Sequence, residues 1–240
     1  LKIASAVIPA RYRSNRFPGK PLALILGKTM IQRVYEGVRQ ARLIDRVIIA
    51  TDDKRILRAA LGFGAEAVMT SAAHRSGTER AAEVAQNLDI PFIINVQGDE
   101  PLVTGRMIDH LIKGLRTSRA PMASLMAKVR DLSLIHQEHI VKVLADKHGY
   151  ALCFSRAPLP YQASDFFYQH IGIYGYQREF LVKFARMKPT RLELTEKLEQ
   201  LRALENGCKI KMMEIPSPTL SVDTPPDIIR VEKFLKKAKK

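Results

Sequence analysis

Four short apolar runs recur through the first hundred residues: IASAVI (3–8), RVIIAT (46–51), EAVM (66–69) and FIINV (92–96). The stretches between them, TMIQRVYEGVRQAR, DKRILRAALGF and GTERAAEVAQNL, carry apolar residues three to four apart. A strand that is apolar on consecutive residues must be covered on both faces, and amphipathic helices supply the cover. The pattern therefore predicts an α/β fold: a mostly parallel sheet flanked by helices. In such sheets the crossovers are right-handed and ligands gather at the carboxyl ends of the strands.

The second half reads differently. PMASLMAKV, HIVKVLAD, GYALCFSR and HIGIYGY are strand-like, with DKHG as hairpin punctuation between two of them. TEKLEQLRALENG is helical with Asn206-Gly207 as its stop, KIKMMEI is a short strand, and TPPDIIRVEKFL is a closing helix. We expect one α/β domain over 1–240 with a smaller mixed-sheet extension. Residues 1–118 form its main part, 119–215 the extension, and 216–240 a closing loop and helix.

Composition narrows the partners. The net charge of +15 favours polyanions, either nucleic acid or a phosphorylated small molecule. Tryptophan is absent, aromatics make up 7%, and the densest cations lie in one loop and the tail FLKKAKK. Nucleic-acid modules instead spread basic residues over a face and interleave stacking groups. No apolar run approaches the length of a membrane span, and no secretory signal pattern opens the chain. Cys153 and Cys208 lack metal or redox spacing and read as reduced thiols. The expectation is a cytoplasmic protein with no membrane partner.

Two strand ends carry the chemistry. IPARYRSNRFPGKPL, which follows the first run, holds Arg11, Arg13, Arg16 and Lys20, shaped by Pro18, Gly19 and Pro21. Such a loop repels itself unless an anion completes it, and forked guanidiniums with a compact ammonium suit a triphosphate. The Walker A spacing is absent. QGDEP, after FIINV, places Asp99 and Glu100 at a turn. A carboxylate beside phosphates calls for a divalent ion such as magnesium; helix capping or pairing with a loop arginine is the plain alternative.

In VDTPPD, Thr224 suits an N-cap and Pro225 the first helical position, which leaves Asp223 as a second candidate ligand. In HRSGTER, Ser76, Gly77 and Thr78 open a helix whose free N–H groups suit a base or phosphate, unless Ser76 simply caps it. Arg156, His170, Tyr174, Glu199 and Gln200, on separate elements, are of types that read a polyhydroxylated acid. A core histidine and a solvated helix face are the plain alternatives.

Taken in order, IPARYRSNRFPGKPL, HRSGTER, INVQGDEP, GYALCFSR, HIGIYGY, LEQLR and VDTPPD resemble the 3-deoxy-manno-octulosonate (Kdo) cytidylyltransferases over nearly the whole chain. HIGIYGY and LEQLR separate this family from the sialic-acid-activating relatives. The resemblance implies transfer of CMP from CTP to Kdo, for lipopolysaccharide synthesis, by a homodimer built through the mixed-sheet region. It implies that Arg11, Arg16 and Lys20 hold the CTP phosphates and that Ser76, Gly77 and Thr78 line the nucleotide pocket. Asp99 and Asp223 become Mg2+ ligands. Gln97, Arg156, His170, Tyr174, Glu199 and Gln200 surround the sugar acid, with Arg80 nearby. Two departures stand out: QASDFFYQ is short for the family, and Leu220-Ser221 precede VDT where a glycine is common.

Overall fold

The computed structural model describes residues 2–13 and 17–237. The chain divides into two compact units, Leu1–Asp109 with Thr219–Lys240, and His110–Pro218.

The first unit contains strands β1 (Ala4–Ala10), β2 (Leu24–Ile25) and β3 (Lys28–Thr29), helix α1 (Met30–Arg39), strand β4 (Ile44–Thr51), helix α2 (Lys54–Gly62), strand β5 (Glu66–Met69), helix α3 (Gly77–Ala85) and strand β6 (Phe92–Val96). Strand β1 pairs in parallel with β4 and β6, and β4 pairs in parallel with β5. Every residue of β1 is buried, as a central strand covered on both faces must be. Helices α1, α2 and α3 pack on these strands, and each starts where the sequence places a cap. Thr29, Asp53 and Ser76 accept hydrogen bonds from the backbone N–H groups of Gln32, Arg55 and Glu79. The parallel sheet and its helices match the expectation from the apolar runs.

Helix α4 (Gly105–Ser118) leads into the second unit. There follow strands β7 (Met122–Val129), β8 (Lys142–Ala145), β9 (Ala151–Ser155) and β10 (Phe167–Gln177), helices α5 (Arg178–Ala185), α6 (Arg191–Glu196) and α7 (Gln200–Glu205), and strand β11 (Ile210–Ile215). Strand β7 lies between antiparallel β10 and parallel β11, while β8 pairs antiparallel with β9 and β10. The β8–β9 turn uses Gly149 at φ +75°, and the Asp146 carboxylate accepts from the N–H groups of His148 and Tyr150.

One expectation needs correction. TEKLEQLRALENG is not one helix: Lys197 at φ +54° closes α6, and α7 restarts at Gln200. The apolar spacing runs unbroken through the bend, so periodicity alone reads it as continuous.

After the second unit the chain returns to the first as helix α8 (Pro225–Lys237). Ile25, Met30, Val222 and Val231 form a buried cluster with Phe17, Leu102, Leu220, Ile228 and Leu235 packed against it. The Leu26 N–H also donates to Glu232 at 2.8 Å. This apolar contact fixes where Asp223, next to Val222, must lie.

Candidate active site

Because β1 and β6 are parallel, their carboxyl ends lie side by side, and the segments after Ala10 and Val96 line one cleft. The cleft measures about 220 Å³ and includes Arg11, Lys20, Ser76, Gly77, Gln97, Asp99 and Asp223. A side chain at Gly77 would come within 3.0 Å of Pro9 Cγ and 3.3 Å of Gln97 Oε1. A larger residue here would push Pro9 and Gln97 back by a few tenths of an ångström, so glycine suits the close start of α3 against β1.

Asp99 reaches the cleft from the turn after β6 and Asp223 from the segment before α8. Their backbones are joined where the Val222 N–H donates to Asp99 O at 3.0 Å. The Lys20 ammonium donates to Asp99 Oδ2 at 2.7 Å and to Val222 O at 2.9 Å, and stands 3.6 Å from Asp223 Oδ1. Lys20 opens a short 3-10 turn whose preceding residue, Gly19, sits at φ +73° with the Tyr12 ring against it. The two sequence-predicted carboxylates thus meet around one cation.

The neighbouring Glu100 is buried and accepts a hydrogen bond from Thr219 at 3.0 Å. Burial first, then the Asp99 and Asp223 carboxylates, push its carboxyl up to about 8. The Lys20 ammonium partly offsets that push. Among the described residues no three His, Cys, Asp or Glu side chains cluster as a metal cage. Two carboxylates suit magnesium, which fills its other positions with phosphate oxygens and water. The donor set fits the ion.

Other predicted residues fall as follows. Ser76 lines the cleft and also caps α3, accepting from the Glu79 N–H at 3.1 Å. Thr78, expected in the nucleotide pocket, is buried beside Asn95 and does not line the cleft. Its side chain lies on the face that α3 turns to the sheet. Arg80 reaches the cleft wall but is buried and bound to Thr70 and Asp52, so its guanidinium is committed to holding the site. Arg16 lies outside the described residues. In VDTPPD, Pro225 is the first helical residue as expected, but it is Asp227 that accepts from the Asp223 N–H and from the Thr224 N–H and hydroxyl. That arrangement leaves the Asp223 carboxylate to the cleft.

His74, in the loop before α3, was not singled out in the sequence. It also lines the cleft, where its Nε2 meets Glu83 and its Nδ1 lies 3.8 Å from Glu79. The i, i+4 spacing of those two acids on α3 was the available signal.

The second unit gathers the remaining polar candidates. Arg156, just past β9, donates Nε to Glu196 O and Nη1 to Glu138 O, both at 2.9 Å. Its Nη2 has no protein partner among the described residues. Glu196 was not singled out in the sequence, yet its carboxylate accepts from the Arg156 N–H at 2.8 Å and the Ser155 hydroxyl at 2.9 Å. Lys142 was missed too: its buried ammonium donates to the carbonyls of Gln137, Ile140 and Arg156.

On β10, His170 lies beside Tyr174 with ring centres 5.4 Å apart, and the Tyr174 hydroxyl donates to Gln200 Oε1 at 3.2 Å. Burial alone brings the His170 imidazole down to about 3, so it is neutral at physiological pH. Ser124 Oγ lies within bonding distance of Ile171 O, Ile173 O and His170 Nε2. Since two carbonyls compete for its single proton, His170 donates through Nε2 and keeps Nδ1 as an acceptor. Gln200 is 3% exposed and its Nε2 has no partner among the described residues, whereas Glu199 pairs with Arg202 at 3.4 Å. A guanidinium, an imidazole acceptor and an unsatisfied amide donor are groups suited to a hydroxylated acid.

Comparison with known proteins identifies the family. Residues 5–212 match the family model for cytidylyltransferases. The chain is 49% identical to 3-deoxy-manno-octulosonate cytidylyltransferase of Syntrophotalea carbinolica, over 97% of this chain and 98% of that protein. It is 48% identical to the protein of the same name from Geobacter sulfurreducens, over 98% and 99%. A solved CMP:2-keto-3-deoxy-manno-octonic acid synthetase complexed with CTP superimposes with a TM-score of 0.93 at 38% identity, covering 99% of this chain and 100% of that one. The fold is that of a nucleotidyltransferase. Within that class, the chain belongs to the cytidylyltransferase family and, inside it, to the 3-deoxy-manno-octulosonate cytidylyltransferases.

Proposed function

We propose that this chain activates Kdo with CTP, giving CMP-Kdo and pyrophosphate. The observation that carries the reading is the meeting of Asp99 and Asp223 around Lys20 at the carboxyl ends of parallel strands, in a cleft also lined by Arg11, Ser76 and Gly77. The anomeric hydroxyl of the sugar attacks the α-phosphorus of CTP. A new oxygen–phosphorus bond forms, the bond from that phosphorus to the oxygen bridging to the β-phosphate breaks, and the hydroxyl proton passes to solvent. Such transfers depend on in-line placement and on cancelling charge at the phosphate oxygens.

Each part of the chain takes one share of that work. Arg11 and Lys20 bind the phosphates and meet the charge that builds on departing pyrophosphate. Asp99 and Asp223 would hold Mg2+, which would supply neutralisation of phosphate charge and activation of the attacking hydroxyl. Arg156 takes the sugar carboxylate, while His170 Nδ1 accepts from a sugar hydroxyl and Gln200 Nε2 donates to one. The same reading makes the protein a cytoplasmic homodimer that serves lipopolysaccharide synthesis. The test is pyrophosphate release with purified protein, CTP, Mg2+ and Kdo. Release with Kdo and none with sialic acid supports the assignment, and the reverse preference overturns it.

A further inference from the structure

The Lys20 ammonium lies where a shared cation would lie. Its oxygen neighbours come from two separate segments: the Asp99 carboxylate at 2.7 Å after β6, and the Val222 carbonyl at 2.9 Å with the Asp223 carboxylate at 3.6 Å before α8. This is no loose surface pair, because the Lys20 side chain is only 15% exposed. The backbone beneath it is fixed, since the Lys20 N–H donates to Phe17 O and Pro21 is buried in the same turn. The stem beyond is a flexible four-carbon chain. Several neighbouring charged groups are committed elsewhere: Arg80 is held by Asp52 and Thr70, His74 by Glu83, Arg75 pairs with Glu79, and Glu100 accepts from Thr219.

We infer that Lys20 guards the aspartate pair: in the nucleotide-free enzyme it fills the divalent-cation position between Asp99 and Asp223 and yields it only when nucleotide phosphates draw its ammonium away. The inference rests on the reading of Asp99 and Asp223 as metal ligands. A metal arriving alone must displace a charge-assisted hydrogen bond, so its apparent affinity falls by the fraction of molecules with the position open. Nucleotide supplies Lys20 with other oxygen partners and frees the carboxylates. Metal and nucleotide therefore favour one another's binding, as linkage requires. The benefit is chemical: the carboxylates stay neutralised, and the ion enters only where phosphates complete its shell.

The test measures binding of Mn2+ alone, without nucleotide, by loss of the free-ion signal in electron paramagnetic resonance. Mn2+ takes the same oxygen donors as Mg2+. Lys20→Met is expected to bind Mn2+ at least about tenfold more tightly than wild type, the weight of one hydrogen bond to a charged group. Adding Asp99→Asn should abolish the gain. Lys28→Met, which removes an equal charge from an exposed pair with Glu36, should leave binding within about twofold of wild type, as screened surface charges do. Lys20→Gln provides a second neutral variant should the methionine variant fold poorly by circular dichroism.

Unchanged or weaker binding in the folded neutral variants overturns the inference, as does an equal gain in Lys28→Met. Tight binding by wild type that Asp99→Asn removes overturns the guard while leaving the metal ligands intact. Absence of Mn2+ binding from every variant overturns both.

Discussion

Arg156 is gripped by Glu196 at both ends of its span: its backbone N–H donates to Glu196 Oε2 at 2.8 Å, and its Nε donates to Glu196 O at 2.9 Å. The guanidinium is thereby oriented before any ligand arrives, with Nη2 uncommitted among the described residues. Preorganisation of this kind lowers the ordering cost of binding. Glu196→Gln should turn an amide donor toward either the Ser155 hydroxyl or the Arg156 N–H and loosen the grip. The expected result is a rise of about tenfold in the KM for Kdo, with the KM for CTP within about twofold, since the change lies at one hydrogen-bonded anchor. Steady-state pyrophosphate release measures both constants, and an equal rise in the two would remove Glu196 from a positioning role.

Asp99→Asn keeps the shape of the cleft and removes one of the two charges beside Lys20. We expect normal folding by circular dichroism and turnover lower by a factor of at least about a hundred, as for loss of a group that stabilises transition-state charge. Turnover within threefold of wild type, about what a spectator residue gives, would contradict the metal assignment.

Lys142 is fully buried, and its three donors satisfy carbonyls of Gln137, Ile140 and Arg156. Lys142→Met keeps the stem but leaves those carbonyls without their donor. The expected loss of stability is about 3 kcal/mol, from the cost of buried unsatisfied acceptors, read from the urea midpoint. A loss smaller than about 0.5 kcal/mol, within the range of surface changes, would mean that water replaces the ammonium.

The buried His170 makes stability depend on pH in a defined direction. Its folded pKa of about 3 lies below the ordinary histidine value of 6.5. Between these values the unfolded chain binds a proton that the folded chain refuses. The stability associated with neutral His170 is present in full above pH ~6.5 and is lost as pH falls toward ~3, at about 1.4 kcal/mol per pH unit. His170→Gln removes this titration and keeps a donor for Ser124. Urea midpoints at pH 7 and pH 5 should therefore converge in the variant relative to wild type, and an identical drop in both proteins would contradict the assignment.

The parts of this fold legible in the sequence are those set by local pattern. Parallel strands β1, β4 and β6 are apolar on consecutive residues, and α1 and α3 begin at Thr29 and Ser76, whose hydroxyls cap them. The loop cations and the two aspartates were visible as residue types at strand and helix ends. Their convergence was not, because Lys20, Asp99 and Asp223 are brought together by the packing of Val222 and Val231 against Ile25 and Met30. Thr78 and Arg80 show the same limit: α3 turns one inward and ties the other to Asp52. Glu196 and Lys142 escaped notice because single charged residues near a helix end and in a short strand ordinarily read as solvated. The hydrogen bonds of the folded chain show how their charges are used.

The most direct measurement is pyrophosphate release by the purified protein with CTP, Mg2+ and Kdo, alongside UTP for CTP and sialic acid for Kdo. The account predicts rapid release with CTP and Kdo that chelation of the metal abolishes and that the other pairs do not reproduce. Release that persists after chelation, or that favours sialic acid, would contradict it.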